Sequence, residues 1–294
     1  MDEDKLIDGK KISLEIKEEV KKEVTKLKES GIIPGIAFIL VGENPASVIY
    51  VRNKEKTCLE LGFYSKVERL PENIPESELL SLINQFNNDK SIHGILVQLP
   101  LPNHLIEQII LESINYKKDV DGLHPQNIGR LVAGMKSFIP CTHYGIVELI
   151  KRSKIETKGK NVVVLGRSNL VGKPIGNLFL HKSLNSTVTF CHSATQNIEY
   201  YTKNADIIIL AMGKSKFLKS DMIKKGVIII DVGINRVEDA NTKSGYKLVG
   251  DADFDDCFEK CGKITPVPGG VGPMTIVMLM KNTLNAAQSI IYPF

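Results

Sequence analysis

The chain has 294 residues, of which 43% are hydrophobic, and its 38 basic and 34 acidic residues give a formal net charge of +4. This length predicts two domains with ordinary hydrophobic cores. Because the charges are interspersed, without a run of like charges or interleaved aromatic residues, the sequence does not favour a nucleic-acid partner, and a mildly basic site for an anionic small molecule fits better.

The cysteines and the amino terminus indicate which classes of protein the sequence does not favour. Five cysteines, an odd number without a C-x-x-C pair, predict neither a disulfide framework nor a zinc site, so we expect reduced thiols and no metal. The amino-terminal MDEDKLIDGKK is charged and no window approaches roughly 18 apolar residues, so we expect neither a secretory signal nor a membrane span. These features favour a cytoplasmic protein.

The first part of the chain alternates apolar strands with amphipathic helices, which is typical of an α/β fold. We predict helices over residues 10–30, 44–62, 76–88 and 105–114, and strands over residues 36–42, 64–70 and 93–97. The strand at 36–42 is continuously apolar, which indicates burial on both faces of a parallel sheet.

The helix at 44–62 carries the first candidate site. Asn44 is a predicted N-cap, Pro45 suits the first helical position, and Gly62 is placed to end the helix. Tyr50 and Lys54 are four residues apart, so they lie on one side of it. An amine beside a phenol is a possible reaction centre, although the pair equally fits a solvated lysine next to a half-buried tyrosine.

Two further polar candidates follow in the chain. Gln98 comes where the third strand ends and Pro100 interrupts the ladder, and that edge of an open parallel sheet is where ligands bind. Asp119 and Asp121 flank a valine in the turn-rich segment KKDVDGLHP. Gln98 could also be a hydrogen-bonding cap, and one of the two aspartates could serve the turn alone.

A second series of β–α units begins beyond the segment FIPCT, residues 138–142, where we place the domain boundary. A linking helix is predicted over residues 144–153, followed by strands over 161–165, 187–191, 205–210 and 227–231. Short, apolar and β-branched strands separated by helical connections predict a doubly wound parallel sheet.

The first strand of this series runs into VVVLGRSNLVGKP, residues 162–174, and then a helix predicted over 171–184. Gly166 and Gly172 permit a tight turn and a close backbone approach, and the helix start is offered to a phosphate. The segment is not G-x-G-x-x-G, and a plain strand–turn–helix with a packing glycine also fits. The four-strand context favours nucleotide binding.

The end of the second strand of this series indicates which nucleotide binds. It reads Cys191-His192-Ser193, without the carboxylate that accepts from the ribose 2′-hydroxyl of NAD. Arg167 and Ser193 can instead hold a 2′-phosphate, because guanidinium makes charge-assisted and often bidentate bonds to phosphate oxygens. This favours NADP over NAD, although Arg167 could also be a solvated turn residue.

Eight segments of the chain, in order, read YVRNKEK, GILVQLPLP, KDVDGLHPQNIGRL, GRSNLVGKP, VTFCHSAT, DVGINR, LVGDADF and TPVPGGVGPMTIVMLMKNT. With these segments the chain resembles the bifunctional methylenetetrahydrofolate dehydrogenase/methenyltetrahydrofolate cyclohydrolase family over nearly its whole length. The segment PGGVGPMT, together with the tyrosine–lysine helix, is a very specific part of this resemblance.

The resemblance implies an α/β protein of two α/β domains flanking a cleft, the second of them a Rossmann-type doubly wound parallel sheet. The folate-binding catalytic domain would comprise residues 1–139 with a carboxy-terminal helix at 271–294, and the NADP-binding domain residues 140–270. A homodimer is also implied, acting in one-carbon metabolism and purine biosynthesis. It would oxidise 5,10-methylenetetrahydrofolate with NADP and hydrolyse the 5,10-methenyl product to 10-formyltetrahydrofolate.

The resemblance also implies the site residues by matching position. The implied catalytic residues are Tyr50, Lys54, Gln98 and Asp121. The implied NADP-binding residues are Gly166, Arg167, Ser168, Ser193 and Ile234. The implied folate-binding residues are Tyr50, Lys54, Val97, Gln98, Leu99, Asp121, Pro268, Gly269, Gly270 and Gly272.

The two reactions place different demands on these residues. Removing a hydride from a methylene carbon between two nitrogens leaves a cation that the nitrogen lone pairs stabilise, so this step needs positioning more than acid–base catalysis. Opening the ring after water addition needs proton transfer. We expect Lys54 to be the base, because partial burial beside a cationic ligand leaves some free amine at neutral pH. Gln98 would direct that amine, Tyr50 would stack on the pterin-type ring, and Asp121 would accept from the ring N–H groups.

The chain departs from the family pattern in two places. It reads PCTH from Pro140 to His143, where the family usually reads PCTP, and we expect a looser start to the linking helix because histidine lacks the fixed φ of proline. The stretch from Arg167 to Ser193 is slightly longer than usual. Neither departure falls on a matched catalytic position.

Two other functions stay open. A different NADP oxidoreductase of similar architecture would use Tyr50 and Lys54 for proton chemistry on another carbonyl or imine substrate. A non-catalytic dinucleotide-sensing or scaffold protein is disfavoured, because it needs no lysine, glutamine and aspartate directed at one site.

Overall fold

The computed structural model describes residues 3–240, 242 and 245–290 as an α/β protein with parallel sheets. The chain divides into two compact units. The first unit comprises Leu14–Cys141 and Ile276–Phe294, and the second comprises Met1–Ser13 and Thr142–Thr275. Residues 291–294 of the predicted carboxy-terminal helix lie outside the described residues.

The helices and strands follow the predicted alternation. In chain order they are α1 (Gly9–Glu29), β1 (Gly35–Val41), α2 (Pro45–Leu61), β2 (Tyr64–Leu70), α3 (Glu76–Asn88), β3 (Gly94–Val97), α4 (Glu107–Ser113), α5 (Pro125–Val132), α6 (Cys141–Arg152), β4 (Asn161–Leu165), α7 (Gly172–Leu180), β5 (Thr187–Cys191), α8 (Ile198–Asn204), β6 (Ile207–Leu210), β7 (Ile228–Asp231), β8 (Asn235–Glu238), β9 (Tyr246–Val249), α9 (Phe254–Phe258), β10 (Lys263–Ile264) and α10 (Val271–Ala287). The predictions for β2, α3, β4 and β5 have the observed bounds.

The sheet of the first unit has the strand order β2-β1-β3 and is parallel throughout. All seven residues of β1 are buried, which confirms a strand covered on both faces. Because the strand order reverses beside β1, the carboxyl ends of β1 and β3 meet at a position where open α/β sheets bind ligands.

Helix α2 connects β1 to β2 and has the predicted ends. The Asn44 side chain accepts hydrogen bonds from two backbone N–H groups of the first turn, at 3.0 and 3.2 Å, and Pro45 is the first helical residue. Gly62, with φ of +80°, ends the helix in the left-handed conformation. Val51 and Cys58 are fully buried, so the face of α2 that carries them packs into the core. The side chains on the opposite face therefore point away from the core.

The main sheet of the second unit has the strand order β10-β7-β6-β4-β5 and is also parallel. The order reverses between β4 and β6, which confirms the predicted doubly wound sheet and marks the carboxyl ends of these two strands as its ligand-binding edge. The sequence does not predict the separate antiparallel hairpin of β8 and β9.

Helix α7 is shorter than predicted. It ends at Leu180, and the His181 N–H donates to Leu178 O at 3.1 Å as the chain leaves the helix. Asn185 then has φ of +52°, a left-handed conformation that does not continue a helix. The prediction of helix over residues 181–184 is therefore wrong, because this polar segment forms a turn before β5.

All five cysteines are buried and none forms a disulfide. Across the residues that the structure describes, no helix has the length and apolar character needed to cross a membrane. The same described ranges contain no group of three or more His, Cys, Asp or Glu side chains arranged to hold a metal ion.

Candidate functional site

Lys54 and Gln98 meet in the first unit. Lys54 on α2 donates from Nζ to Gln98 Oε1 at 3.0 Å, immediately beyond β3. The Gln98 side chain is oriented by its own Nε2, which donates to Leu99 O at 2.7 Å, and its backbone N–H donates to Ile39 O on β1 at 2.9 Å. The amide therefore presents its oxygen to the lysine, and it is more than a cap for the strand.

Tyr50 lies one helical turn before Lys54 on α2. Its side chain is 49% exposed, whereas Lys54 is partly buried. A half-exposed aromatic ring beside a hydrogen-bonded amine leaves one apolar face open to a ligand. This arrangement favours the reaction-centre interpretation of the pair over a solvated lysine.

Asp121 joins this group through Cys141. The backbone N–H of Cys141 donates to Asp121 O at 3.3 Å, and its thiol donates to Val120 O at 3.3 Å. Burial, followed by the negative charge of Asp121, raises the pKa of the Cys141 thiol well above its usual range, while the charge of Lys54 opposes this shift. The charges of Lys54 and Asp121 both influence this thiol, so the two residues lie in the same part of the first unit, where Gln98 is bonded to Lys54.

Asp119 has a different role from Asp121. It is 2% exposed, and its carboxylate accepts from His124 N and Asn127 Nδ2, each at 2.8 Å, and from Leu123 N at 3.3 Å. Burial raises the pKa of Asp119 in spite of these hydrogen bonds. The carboxylate therefore anchors the turn and the start of α5, which resolves which aspartate serves the turn.

Two residues that the sequence does not single out support the turn that carries Asp121. Cys141 is buried and bonds to the backbone carbonyls of Val120 and Asp121 through its thiol and its N–H. Asn282 on α10 is fully buried and donates from Nδ2 to Val120 O at 2.9 Å and to Ile139 O at 3.0 Å. This amide joins the Asp121 turn to the segment that precedes α6. The only signal for it in the sequence is its place in the last resembling segment, MLMKNT.

The glycine loop after β4 lies in the second unit. Gly166 has φ of +125°, and a Cβ there would be 2.3 Å from Ala211 O at the end of β6. A Cβ on Gly172 would be 2.3 Å from Gly166 O. Ser168 Oγ accepts from Val171 N at 3.1 Å and from Gly172 N at 3.3 Å, which closes the turn. Both glycines are thus required by close backbone approaches, as the loop interpretation predicts.

The other residues predicted to bind the nucleotide surround this loop on the same sheet edge. Arg167 and Ser168 follow β4, Ser193 follows β5, and Ile234 follows β7; all four are exposed. Parallel strands direct their carboxyl ends to one edge, so these side chains share it. The residues Cys191 to Ser193 contribute no carboxylate to it.

A buried carboxylate organises the loop next to this edge. Asp251 is fully buried and accepts four hydrogen bonds, at 2.7–3.0 Å, from the backbone N–H groups of residues 212, 213 and 214 and from Asn235 Nδ2. A Cβ on Gly233 would be 2.3 Å from this carboxylate. The sequence shows Asp251 only as part of the resembling segment LVGDADF and does not reveal these partners.

The residues predicted from Pro268 to Gly272 also belong to the second unit. Gly269 has φ of +109°, and its carbonyl accepts from Lys10 N at 2.9 Å. A Cβ on Gly9 would be 1.8 Å from Gly270 O, so the start of α1 packs directly on this turn. The structure therefore groups the predicted site residues into two sets. One set, around Lys54, is in the first unit, and the other, around the glycine loop and the 268–272 turn, is in the second.

Family models match both parts of the chain. The catalytic domain of tetrahydrofolate dehydrogenase/cyclohydrolase matches residues 7–121, and the NAD(P)-binding domain of the same family matches residues 140–291. The chain is 54% identical over 290 residues to the bifunctional protein FolD of Chlorobium phaeobacteroides, covering 97% of this chain and 98% of that protein. Identity and coverage are the same for the bifunctional protein FolD of Pelodictyon phaeoclathratiforme.

Solved structures give the same result. The bifunctional FolD dehydrogenase/cyclohydrolase of Campylobacter jejuni superimposes with a TM-score of 0.92 and 50% identity, covering 97% of this chain and 98% of that one. The Trypanosoma brucei dehydrogenase-cyclohydrolase, solved with NADP and an inhibitor, has a TM-score of 0.91 and 38% identity, with 97% of each chain covered.

Proposed function

Because the chain belongs to the tetrahydrofolate dehydrogenase/cyclohydrolase family, we propose that it carries both activities in one-carbon metabolism. It oxidises 5,10-methylenetetrahydrofolate with NADP to 5,10-methenyltetrahydrofolate and hydrolyses this product to 10-formyltetrahydrofolate. The observation that carries the proposal is the 3.0 Å bond from Lys54 to Gln98, at the carboxyl end of the parallel strand β3.

NADP fits the residues of the second unit. Gly166 permits the tight loop after β4, since a Cβ there would clash with Ala211 O. Arg167 and Ser193 are exposed, and no carboxylate follows β5 to repel a 2′-phosphate. Arg167 and Ser193 would hold that phosphate, while Gly166, Ser168 and the α7 start would receive the remaining phosphates. Bound NADP supplies the hydride acceptor, and the loop's task is to hold it in place.

The cyclohydrolase step is assigned to Lys54. Water adds to the methenyl carbon, and Lys54 accepts one of its protons. The carbon–nitrogen bond then breaks, its electron pair stays on the departing nitrogen, and the remaining hydroxyl proton passes to that nitrogen, which leaves the formyl group on the other nitrogen. Because Gln98 Nε2 donates to Leu99 O, the amide is fixed with its oxygen toward Lys54, and this acceptor holds the Lys54 amine in one direction. No comparable proton acceptor is needed for hydride removal, which depends on positioning.

The remaining substrate contacts are proposed from position. Asp121 accepts hydrogen bonds from the N–H groups of the pterin-type ring, and Tyr50 stacks on it with its exposed face. Further folate contacts are proposed for Val97, Leu99, Pro268, Gly269, Gly270 and Gly272. A carboxylate at Asp121 would select a ring that offers donors over one that offers acceptors.

We also propose a cytoplasmic homodimer. The reduced state of five buried cysteines supports a reducing compartment. Strand β5 lies at the edge of the five-stranded sheet, where a second copy can pair with it. Light scattering on the purified chain would test the oligomeric state.

An absorbance assay with 5,10-methylenetetrahydrofolate tests the activities directly. NADPH and methenyl-folate are followed together, and both should form, with methenyl-folate then declining as 10-formyl-folate accumulates. Turnover of NADP with another carbonyl or imine substrate, but not with the folate, would support a different oxidoreductase. Nucleotide binding without any turnover would support a sensing protein.

A further inference from the structure

His143, where the chain departs from the PCTP pattern, has a buried and bonded side chain. It lies in the first turn of α6, is 1% exposed, and places Nε2 at 2.9 Å from Val171 O. Because a carbonyl oxygen can only accept, Nε2 carries the hydrogen and donates it. Helix α6 begins at Cys141, two residues ahead of His143.

Val171 is the residue that leads into α7. Its φ of −130° and ψ of −63° are not helical, and its side chain makes no capping hydrogen bond. Its carbonyl accepts from Ile175 N at 3.1 Å as well as from His143, and its N–H donates to Ser168 Oγ at 3.1 Å. Both backbone polar groups of Val171 are therefore held, one of them by a side chain from another helix.

The hydrogen bond from His143 constrains the glycine loop, residues 166–172, through Ser168. Its Oγ accepts from Val171 N and from Gly172 N, so a fixed Val171 also fixes the hydroxyl and the backbone beside Arg167. A loop that is already ordered loses less conformational freedom when a ligand binds. Removing the His143 donor leaves the Val171 carbonyl with its helical partner alone and loosens the end of the loop.

We propose that His143 is a positioning residue for NADP, whose Nε2–H bond to Val171 O orders the phosphate-binding loop of residues 166–172. This inference rests on the proposed placement of NADP at Arg167 and Ser168. Proline, the usual residue of the family pattern at this position, has no side-chain donor, so the device is a property of this chain.

Three variants separate the hydrogen bond from the bulk of the side chain. His143→Gln keeps an N–H donor at a reach similar to that of Nε2. His143→Leu fills the space without a donor, and His143→Pro removes the donor with a residue that the first turn of a helix tolerates. The leucine and proline variants should bind NADP about threefold to tenfold more weakly than the parent, and the glutamine variant within about twofold of it.

Titration calorimetry with NADP on the full chain measures this directly, without turnover. Hydrogen exchange of the amides of residues 171–175 in the ligand-free protein should be faster in the leucine and proline variants and parent-like in the glutamine variant. At saturating NADP, kcat and the KM for the folate should stay at parent values, which a general loss of folding would not permit. If the leucine variant does not fold, the proline and glutamine variants still give the comparison.

Parent-like NADP binding in both the leucine and proline variants would overturn the proposal, as would equal weakening in the glutamine variant. Faster exchange without weaker binding would overturn the link to NADP. Arg167→Ala serves as the reference. If it too binds NADP like the parent, the placement of the cofactor is wrong; if it alone weakens binding, only the role of His143 is wrong.

Discussion

Replacing Lys54 with methionine should separate the two activities. Methionine keeps a long, flexible and apolar side chain of similar reach but has no amine. Gln98 keeps its backbone bond to Ile39 O at 2.9 Å and its side-chain bond to Leu99 O at 2.7 Å, so the end of β3 should hold its shape. The change therefore removes the proton acceptor while leaving the surroundings of the folate largely intact.

The magnitude follows from the role of the amine in each step. A positioned general base contributes about 10²–10⁴-fold, or roughly 3–5 kcal/mol of barrier, so cyclohydrolase activity should fall by at least about 10²-fold in Lys54→Met. Hydride removal needs no proton acceptor, so NADPH formation should persist at least in part. Methenyl-folate should accumulate in the variant, because its formation continues and its hydrolysis stops.

Stopped-time quantification of NADPH, methenyl-folate and formyl-folate in one reaction measures both steps. Lys56→Met is a matched control, since Lys56 is two residues further along α2, its side chain is 76% exposed, and its ammonium lies 3.9 Å from Glu60. That control should retain both activities. A Lys54→Met protein that hydrolyses methenyl-folate at the parent rate would refute the assignment, and a water held by Gln98 and Asp121 would then be the next candidate base.

Three further predictions test other parts of the structure. Arg167→Ala should raise the KM for NADP far more than that for NAD, through lost charge-assisted bonds worth about 1.5–3 kcal/mol, and equal effects on both nucleotides would remove Arg167 from the 2′-phosphate site. Asp121→Asn should weaken folate binding in a titration and leave NADP binding unchanged; loss of the nucleotide instead would show that Asp121 is misplaced. Burial raises the pKa of Asp231 to about 7, so the native state holds a proton that the unfolded chain has lost between about pH 4 and pH 7. The contribution of Asp231 to the free energy of unfolding should therefore fall as pH rises through that window and level off above it. Urea unfolding of the parent and Asp231→Asn across this range should show that fall only in the parent, and parallel profiles would contradict it.

Local signals account for the parts of the fold that the sequence predicts well. Asn44 and Pro45 at one end of α2 and Gly62 at the other are residues whose backbone preferences set helix ends without help from the rest of the chain. Strand β1 and residues 162–165 of β4 are continuously apolar, and such runs have few alternatives to burial in a parallel sheet. These elements carry Lys54 and the glycine loop, so the main candidates can be placed from sequence.

Elements that depend on distant partners are predicted poorly. Strands β8 and β9 have four residues each, none of them fully buried, and they pair with one another across a connection. Helix α5 begins at Pro125 with His124 as its cap, and histidine is not among the residues that usually cap helices. In both cases the deciding interaction has no distinctive residue type at a fixed spacing.

The two aspartates show the same limit within the site. Asp119 and Asp121 flank one valine and are equivalent as residues in a turn, so the sequence leaves their roles open. Their tertiary contacts distinguish the two aspartates. The amide of Asn127 and two backbone N–H groups surround Asp119, whereas Asp121 contacts Cys141, a residue from the far side of a connection. Only the folded chain shows that the carboxylate of Asp119 is engaged internally, and this supports the proposal that Asp121 binds the ligand.

Buried polar residues near the glycine loop likewise bond to partners that are distant in the sequence. Asp251 gathers three backbone N–H groups and one side-chain amide from segments 16–39 residues earlier in the chain, and His143 donates to a backbone carbonyl 28 residues later. Backbone donors and acceptors occur at nearly every position, so they give a sequence no pattern to match. A buried carboxylate without hydrogen-bond partners destabilises the folded state. The loops around it must therefore supply those partners, which constrains their conformation as strictly as the glycines do. The loop that we propose to bind NADP is thus set by two kinds of residue. The glycines are visible in the sequence, and the buried hydrogen-bonding side chains become interpretable only once the fold brings their partners together.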